Sequence, residues 1–128
     1  MFKVTSVENK ELQLAICNEI GVENADNSFA YAAFEVADDG ETVLSPIAIC
    51  EFSFIGGCRI HHLTPMQGHE DDEAVLILGF AVIDFFRRCG FETLTATINE
   101  KYALRLGFVH DGDTFLLNLK RPAGCGGH

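Results

Sequence analysis

Basic residues are scarce in this chain, and their scarcity restricts the partners it can bind. The 128 residues include 9 lysines and arginines against 19 aspartates and glutamates, which gives a formal net charge of −10. Between Glu11 and Phe86 the only lysine or arginine is Arg59. Because nucleic acids and anionic membranes are bound through clustered lysine and arginine, we expect neither as a partner. An acidic surface favours cationic small molecules or basic peptides, or it only keeps the protein soluble.

Patterns typical of membrane, disulfide-rich and nucleotide-binding proteins are also missing. The longest predominantly apolar run, Ala74–Phe86, is shorter than the roughly 20 residues that span a bilayer. The N-terminal segment lacks the apolar core of a signal peptide. The five cysteines are widely spaced and form no C-x-x-C pair, which favours reduced thiols. Neither a G-x-G-x-x-G motif nor a P-loop occurs. We therefore expect a cytoplasmic location.

Short strands and one helix are predicted for the beginning of the chain. Weak alternation over Phe2–Val7 and the aromatic-rich segment Phe29–Val36 indicate two strands. Between them, apolar residues at helical spacing predict a helix that Ser6 caps and Gly21 ends.

A hairpin and two more extended segments follow. The Asp-Asp-Gly segment at 38–40 predicts the hairpin turn. Thr42–Ile55 is extended but contains Pro46, which cannot donate to a strand ladder and so marks an edge, a bulge or two separate strands. Cys58–Leu63 is a further strand, which Pro65 ends.

The second half of the chain predicts two helices and two strands. A long apolar helix begins at the acidic segment 70–73 and stops at Gly90. Thr93–Ile98 alternates as a strand, Asn99 begins a short helix, and Phe115–Leu119 forms the last strand. Antiparallel strands followed by one helical crossover predict an α+β domain. With 48% apolar residues the chain can bury a core, so we expect one domain over 1–120 and a flexible tail over 121–128.

Three local motifs lie in an order known from one superfamily. Leu63-x-Pro65 precedes a loop, a long helix ends at Gly90, and Asn99 is followed by Leu-Gly-Phe at 106–108. Over residues 29–119 this order resembles the GNAT (N-acetyltransferase) superfamily. The resemblance implies a GNAT-like acyl-CoA N-acyltransferase fold, with a mixed, mostly antiparallel sheet flanked by helices. It also implies acyl transfer, with acetyl as the expected group, from an acyl-CoA to the amine of a small molecule or peptide.

The loop before the long helix departs from the family pattern. In GNAT proteins a loop of the form Arg/Gln-Gly-x-Gly-x-Gly/Ala holds the pyrophosphate of acetyl-CoA. The matching positions 68–73 read Gly-His-Glu-Asp-Asp-Glu, whose carboxylates would repel phosphate. The resemblance implies acetyl-CoA or another acyl-CoA as co-substrate, with cofactor-binding positions at Leu63, Gly68, His69, Asp71 and Asn99. Two alternatives stay open: a non-catalytic GNAT-like binding or interaction protein that has lost CoA binding, and an unrelated α+β domain that dimerises.

Glu51 and His62 are candidates for the base of amine acylation, which must remove the ammonium proton. Glu51 shares a predicted strand face with Ile47 and Ile49, where burial would raise the pKa of a carboxylate. The interpretation that the pattern favours is an exposed carboxylate at a sheet edge. His61 and His62 are adjacent, so one should point into the site and the other away. The inward histidine can act near neutral pH; the alternative is a hydrogen-bonded structural histidine.

Tyr102 is the candidate acid for the departing thiolate. GNAT proteins often use a tyrosine for this step, but the segment from Asn99 to Gly107 is shorter here than in the family. Tyr102 is therefore not at the family's position, and Arg105 lies closer to it; a packing role is the alternative. We expect no metal, because the sequence contains neither H-x-x-x-H nor H-E-x-x-H. A homodimer is a further possibility.

Overall fold

A computed structural model describes residues 2–24, 27–68 and 72–120. The strands within these ranges are β1 (Phe2–Ser6), β2 (Phe29–Val36), β3 (Val43–Ser53), β4 (Arg59–Pro65), β5 (Thr93–Ala96), β6 (Val109–Asp111) and β7 (Thr114–Asn118). The helices are α1 (Lys10–Ile20), α2 (Asp72–Arg88) and α3 (Glu100–Leu106). The predicted tail at 121–128 and the candidate residues His69 and Asp71 lie outside the described residues.

The strands of the described part join one sheet in the order β1-β2-β3-β4-β5-β7-β6. β4 and β5 pair in parallel, and the other neighbouring pairs are antiparallel. α2 connects the two parallel strands, since a parallel pair needs a crossover connection. The structure thus confirms the predicted α+β fold with a mixed, mostly antiparallel sheet.

The two faces of the sheet bury different helices. α2 and α3 pack on one face, where Phe52, Phe86 and Leu94 belong to the main core. α1 packs on the other face, where Ile16 contributes to a second cluster with Ile49. Because neighbouring strand residues point to opposite faces, β3 contributes to both cores. In the part of the chain that the structure describes, no helix is long and apolar enough to cross a membrane.

Side-chain caps fix the starts of two helices. Asn9, rather than the predicted Ser6, caps α1, and its side-chain oxygen accepts a hydrogen bond from the backbone of Glu11 at 2.8 Å. The prediction of Ser6 was wrong because this residue still belongs to β1. At the start of α3, Asn99 is the cap as predicted, and its side chain accepts from Lys101 N at 2.8 Å.

α2 and α3 approach each other closely at Gly79. A Cβ atom at this position would lie 2.8 Å from Leu106 Cδ1, which is closer than carbon atoms normally pack. The absence of a side chain at Gly79 therefore lets Leu106 rest against α2. This contact joins the two helices on the face of the sheet opposite α1.

β3 is a single strand that a bulge distorts near Pro46. Its pairing with β2 shifts at this point and makes Ile47 an extra residue. Ile47 packs with Ala33 of β2 and Ala74 of α2. The prediction that Ile47 shares a strand face with Glu51 was therefore wrong, because the bulge interrupts the strict alternation on which it depended.

Candidate active site

A cleft opens where β4 and β5 stop pairing. The two strands are matched at Arg59 with Thr95 and at Ile60 with Ala96. Beyond these pairs the two chain segments border a space of about 480 Å³, and the residues that line it include His62, Leu63, Thr64, Thr97, Asn99 and Tyr102. Four candidate residues from the sequence therefore line one cleft, namely His62, Leu63, Asn99 and Tyr102.

Glu51 lies behind the wall of this cleft and is fully buried. The favoured sequence interpretation, an exposed carboxylate at a sheet edge, was wrong because β3 lies between β2 and β4. Oε2 of Glu51 accepts hydrogen bonds from Gln13 Nε2 and, at 3.5 Å, from Ser28 Oγ. Oε1 lies 3.0 Å from His62 Nε2. These partners compensate the carboxylate for the water that burial removes.

Gln13, Ser28, Glu51 and His62 form what we call the histidine cluster. We assign the proton of the neutral His62 ring to Nε2, where it donates to the carboxylate of Glu51, so that Nδ1 carries the electron pair. Nδ1 accepts a hydrogen bond from Thr64 Oγ1 at 2.9 Å. Since His62 and Thr64 both line the cleft, the cluster connects a buried carboxylate to a basic nitrogen at the cleft wall.

A second bulge places both adjacent histidines on the α1 side of the sheet. The pairing of β3 with β4 shifts after Glu51 and makes His61 an extra residue. His61 Nε2 lies 2.9 Å from Ser53 Oγ, and Ser53 shares a strand face with Glu51. The expectation that the two adjacent histidines lie on opposite faces of the sheet was therefore wrong, whereas His62 lines the cleft and His61 lines a neighbouring pocket.

Cys17 of α1 lies next to the histidine cluster. Its Sγ is 4.0 Å from His62 Nε2. Burial, followed by the charge and the hydrogen bond of Glu51, raises the pKa of the Cys17 thiol to about 12. Cys17, Glu51 and His62 each offer one potential metal ligand within 4.8 Å of the others. Because the two oxygens of Glu51 already accept hydrogen bonds from Gln13, Ser28 and His62, we interpret the three as a hydrogen-bonded group.

Tyr102 belongs to a second polar group, at the start of α2. Its hydroxyl donates to Asp72 Oδ1 at 3.1 Å. Lys101 Nζ lies 3.2 Å from the same oxygen, and Arg105 Nη1 lies 3.9 Å from Oδ2. The bond from Lys101 is the main cause that lowers the pKa of Asp72, whereas burial, followed by Asp72, raises the pKa of Tyr102. We call Asp72, Lys101, Tyr102 and Arg105 the helix-start cluster.

The cofactor-binding candidates occupy different positions. The side chain of Leu63 is committed to the main core. The side chain of Asn99 caps α3. Gly68 has a φ of 86°, a left-handed conformation that favours glycine, and a Cβ there would meet open space. His69 and Asp71 lie outside the described residues, so their role stays a prediction.

Three polar members of the site were missed from the sequence. Gln13 shares the buried stripe of α1 with Ile16 and Cys17, so a polar residue at an apolar helical position was a usable signal. Thr64 lies two residues after His62 on the same strand, so the two side chains share a face, and this spacing could have identified Thr64. Ser28 lies between a turn and a strand, and no local pattern marks it.

Solved structures of several N-acetyltransferases share this architecture. The ribosomal-protein-S18-alanine N-acetyltransferase from Escherichia coli is 12% identical, with a TM-score of 0.69 over 95% of this chain and 96% of that chain. The PaiA N-acetyltransferase from Thermoplasma acidophilum, in complex with coenzyme A, is 12% identical, with a TM-score of 0.62 over 91% and 96% of the chains. A chain of the KacTA–DNA complex is 16% identical, with a TM-score of 0.67 over 94% of each chain. No family model and no curated protein sequence matches this chain. The protein has the GNAT fold.

Proposed function

We propose that this protein is an N-acyltransferase that moves an acyl group, expected to be acetyl, from an acyl-CoA to the amine of a small molecule or peptide. One observation carries the proposal: His62, bound to the buried Glu51, lines the cleft where β4 and β5 separate. The fold supports it, since N-acetyltransferases share this fold and one neighbour was solved with coenzyme A. Because fold alone does not establish activity, the polar groups of the cleft must perform the chemistry.

The first step needs a base, because a simple amine is protonated near neutral pH and attacks only in its neutral form. Thr64 Oγ1 donates to His62 Nδ1 at 2.9 Å. Its hydroxyl can therefore take a proton from the amine while it passes its own proton to His62. Glu51 Oε1, which lies 3.0 Å from Nε2, holds the ring in the orientation that presents Nδ1 to Thr64. In this scheme Glu51 is a positioning residue that acts through His62.

Acyl transfer then exchanges one bond to the acyl carbon for another. The amine nitrogen attacks the thioester carbon, a C–N bond forms, and the C–S bond breaks. Of the two protons that leave the nitrogen, one passes through His62 to solvent and the other ends on the sulfur of CoA. We assign Tyr102 as the acid that protonates the thiolate, because it lines the cleft and its raised pKa keeps its hydroxyl protonated. Its hydroxyl must first release Asp72.

The phosphates of CoA need positive charge near the start of α2. Asp72 and Glu73 supply carboxylates there, but Lys101 and Arg105 of α3 reach this end of the helix. We infer that these two cations, together with the helix N-terminus, bind the phosphates in place of a glycine-rich loop. Asp72 then competes with the phosphates for the same cations.

This competition also favours the alternative, a non-catalytic GNAT-like binding protein that no longer takes CoA. Asp72 already contacts Lys101 and Arg105, and Glu73 adds a second carboxylate to the first turn of α2. If these internal ion pairs are stronger than the contacts with phosphate, no acyl donor enters the cleft. The helix-start cluster is thus the feature on which the two functions differ.

A thermal-shift titration with acetyl-CoA, followed by a mass-spectrometric assay of acetylated amines, separates the two functions. A ligand that binds only the native state raises its melting temperature. An acetyltransferase should therefore show a dose-dependent rise and should acetylate members of an amine panel. Acetyl-pantetheine, which lacks the phosphates, is the matched control ligand and should stabilise the protein less. No stabilisation at millimolar acetyl-CoA would reject the enzyme and favour the binding protein.

A further inference from the structure

A pocket beside the cleft contains Arg59 and, among the described residues, is lined by no acidic side chain. The pocket has a volume of about 390 Å³, and Ser53, Arg59, His61, Thr93 and Thr95 are among the residues that line it. Arg59 is the only lysine or arginine between Glu11 and Phe86. Within residues 2–24, 27–68 and 72–120 it takes part in no ion pair. Arg59 is exposed, so its guanidinium is open to a ligand that approaches from solvent.

An adjoining pocket extends this basic character. It has a volume of about 440 Å³ and shares Ser53 and Ile55 with the first pocket. Among the described residues, its lining includes Lys10 and no carboxylate. Lys10 donates to the backbone oxygen of Ser28 and, at 3.2 Å, to Gln13 Oε1, which fixes the position of its ammonium group. Lys10 therefore adds a second positively charged side chain next to the pocket that contains Arg59.

The arginine pocket lies on the same strands as the cleft. Arg59 pairs with Thr95 of β5 and with Ser53 of β3. Because Ser53 and Glu51 share a strand face, the pocket opens on the α1 side, where His62 also lies. At about 3.3 Å per residue, Arg59 is roughly 10 Å from His62 along β4. Thr64, which takes the proton of the amine in the proposed mechanism, lies two residues beyond His62 on the same strand. A small ligand bound by the side chain of Arg59 therefore has to extend its amine along β4, past His62, to Thr64.

We propose that this pocket binds a carboxylate of the acceptor, so that the substrate is an amine with a carboxylate several bonds away. The proposal rests on the acyltransferase function given above and names its acceptor class. The planar guanidinium matches a carboxylate in a bidentate geometry, and the hydroxyls of Ser53 and Thr93 offer further hydrogen bonds. The net charge alone favours purely cationic acceptors, whereas this local arrangement selects a zwitterion.

The charge of the pocket favours a carboxylate over a phosphate. Burial, followed by the charge of Arg59, lowers the pKa of His61, so this ring is neutral at neutral pH. Arg59 then supplies the one full positive charge in the lining of the pocket. A carboxylate carries a single negative charge, whereas a phosphate monoester carries about −1.5 to −2. The second charge of a phosphate would be uncompensated beside an acidic protein surface.

The test compares acceptors that differ only in the group at one end. We expect ε-aminocaproate to be acetylated with a kcat/KM about tenfold higher than that of its uncharged amide or of hexanediamine, since a hydrogen bond to a charged group has this effect. Arg59→Gln should abolish most of this preference. Arg88→Gln is the matched control, because it removes the same charge from the end of α2, where Arg88 contacts Asp84 at 2.8 Å. This variant should keep the preference.

The outcomes separate the pocket from the acyltransferase activity. Equal rates for the three acceptors, or a preference for hexanediamine, would overturn the proposal. If no acceptor is acetylated, the proposed function fails, and the pocket is tested by titrating ε-aminocaproate into isotope-labelled protein followed by NMR. Amide shifts at Arg59 and Thr95 that are lost in Arg59→Gln would support carboxylate binding. Their absence in the wild-type protein would reject it.

Discussion

The histidine cluster and the helix-start cluster border the same cleft, but the fold holds them in opposite ways. The side chain of Glu51 is fully buried and that of His62 is 15% exposed, whereas the side chains of Lys101 and Arg105 are 53% and 57% exposed. Water and salt weaken the exposed contacts, while burial strengthens the hydrogen bonds of the first cluster and makes a lost partner costly. The fold therefore fixes the proposed proton-transfer group and leaves the proposed phosphate contacts adjustable.

The strongest test of this difference removes the imidazole from the buried side. We expect His62→Ala to lower kcat/KM by about 100-fold or more, because a positioned general base contributes on this scale. The measurement is a steady-state assay of acetyl transfer. His110→Ala is the matched control, since His110 is an exposed histidine that contacts Glu100 at 2.8 Å. If His62→Ala keeps the wild-type rate, the histidine cluster is structural and the base lies elsewhere.

A smaller effect on activity, combined with a loss of stability, is expected when the buried charge is removed. Glu51→Gln keeps the shape of the side chain but places an amide against Gln13, so we expect the free energy of unfolding to fall by about 1–3 kcal/mol. Because Glu51 only positions His62, kcat should fall less than in His62→Ala. Urea denaturation measures the first change, with Glu19→Gln on the exposed face of α1 as control. Unchanged stability would show that the network does not support the fold.

The smallest effects are expected on the exposed side. Lys101→Gln should raise the KM for acetyl-CoA at low salt, and the difference should shrink as salt screens the exposed charge. Lys101 is also the main cause of the lowered pKa of Asp72, so this pKa should rise in the variant. In the wild type, the stability that Asp72 contributes is present above its unfolded pKa of about 4 and is lost as the pH falls through the lower folded value.

NMR titration of the Asp72 carboxyl measures this shift, and Lys120→Gln, which removes an exposed lysine outside the cluster, is the control. A loss of acetyl-CoA affinity that persists at high salt would contradict the proposed difference between the histidine cluster and the helix-start cluster. It would show that Lys101 is held as firmly as the members of the histidine cluster.

Local signals predicted most of the elements because they act over a few residues. The strand Phe29–Val36 and the cap at Asn99 occur as expected. At Gly21 the helix end adopts a left-handed φ of 76°, which glycine accepts without strain. The fold could thus be predicted, because residues of this kind set the backbone conformation of the few residues around them.

The histidine cluster could not be predicted in full, because its members come from distant parts of the chain. Gln13 and Glu51 meet only when α1 packs on β3, and no local pattern reports that contact. The two bulges caused further errors, since each inserts one residue and reverses the faces of the residues around it. For this reason alternation misplaced Ile47 and His61, although it selected Glu51 and His62 as candidates.

The short pairing between β4 and β5 has a mechanical consequence. It joins a four-stranded plate, β1 to β4, to a three-stranded plate of β5, β7 and β6 through two matched residue pairs. The boundary between β4 and β5 therefore has the fewest paired residues in the sheet and leads into the cleft. Bending of the sheet along this boundary changes the width of the cleft. On the face of the sheet opposite α1, the packing of Leu106 against Gly79 joins α2 to α3 across this boundary. We expect thermal motion of the two plates to be largest at the open end, where the acyl group would enter.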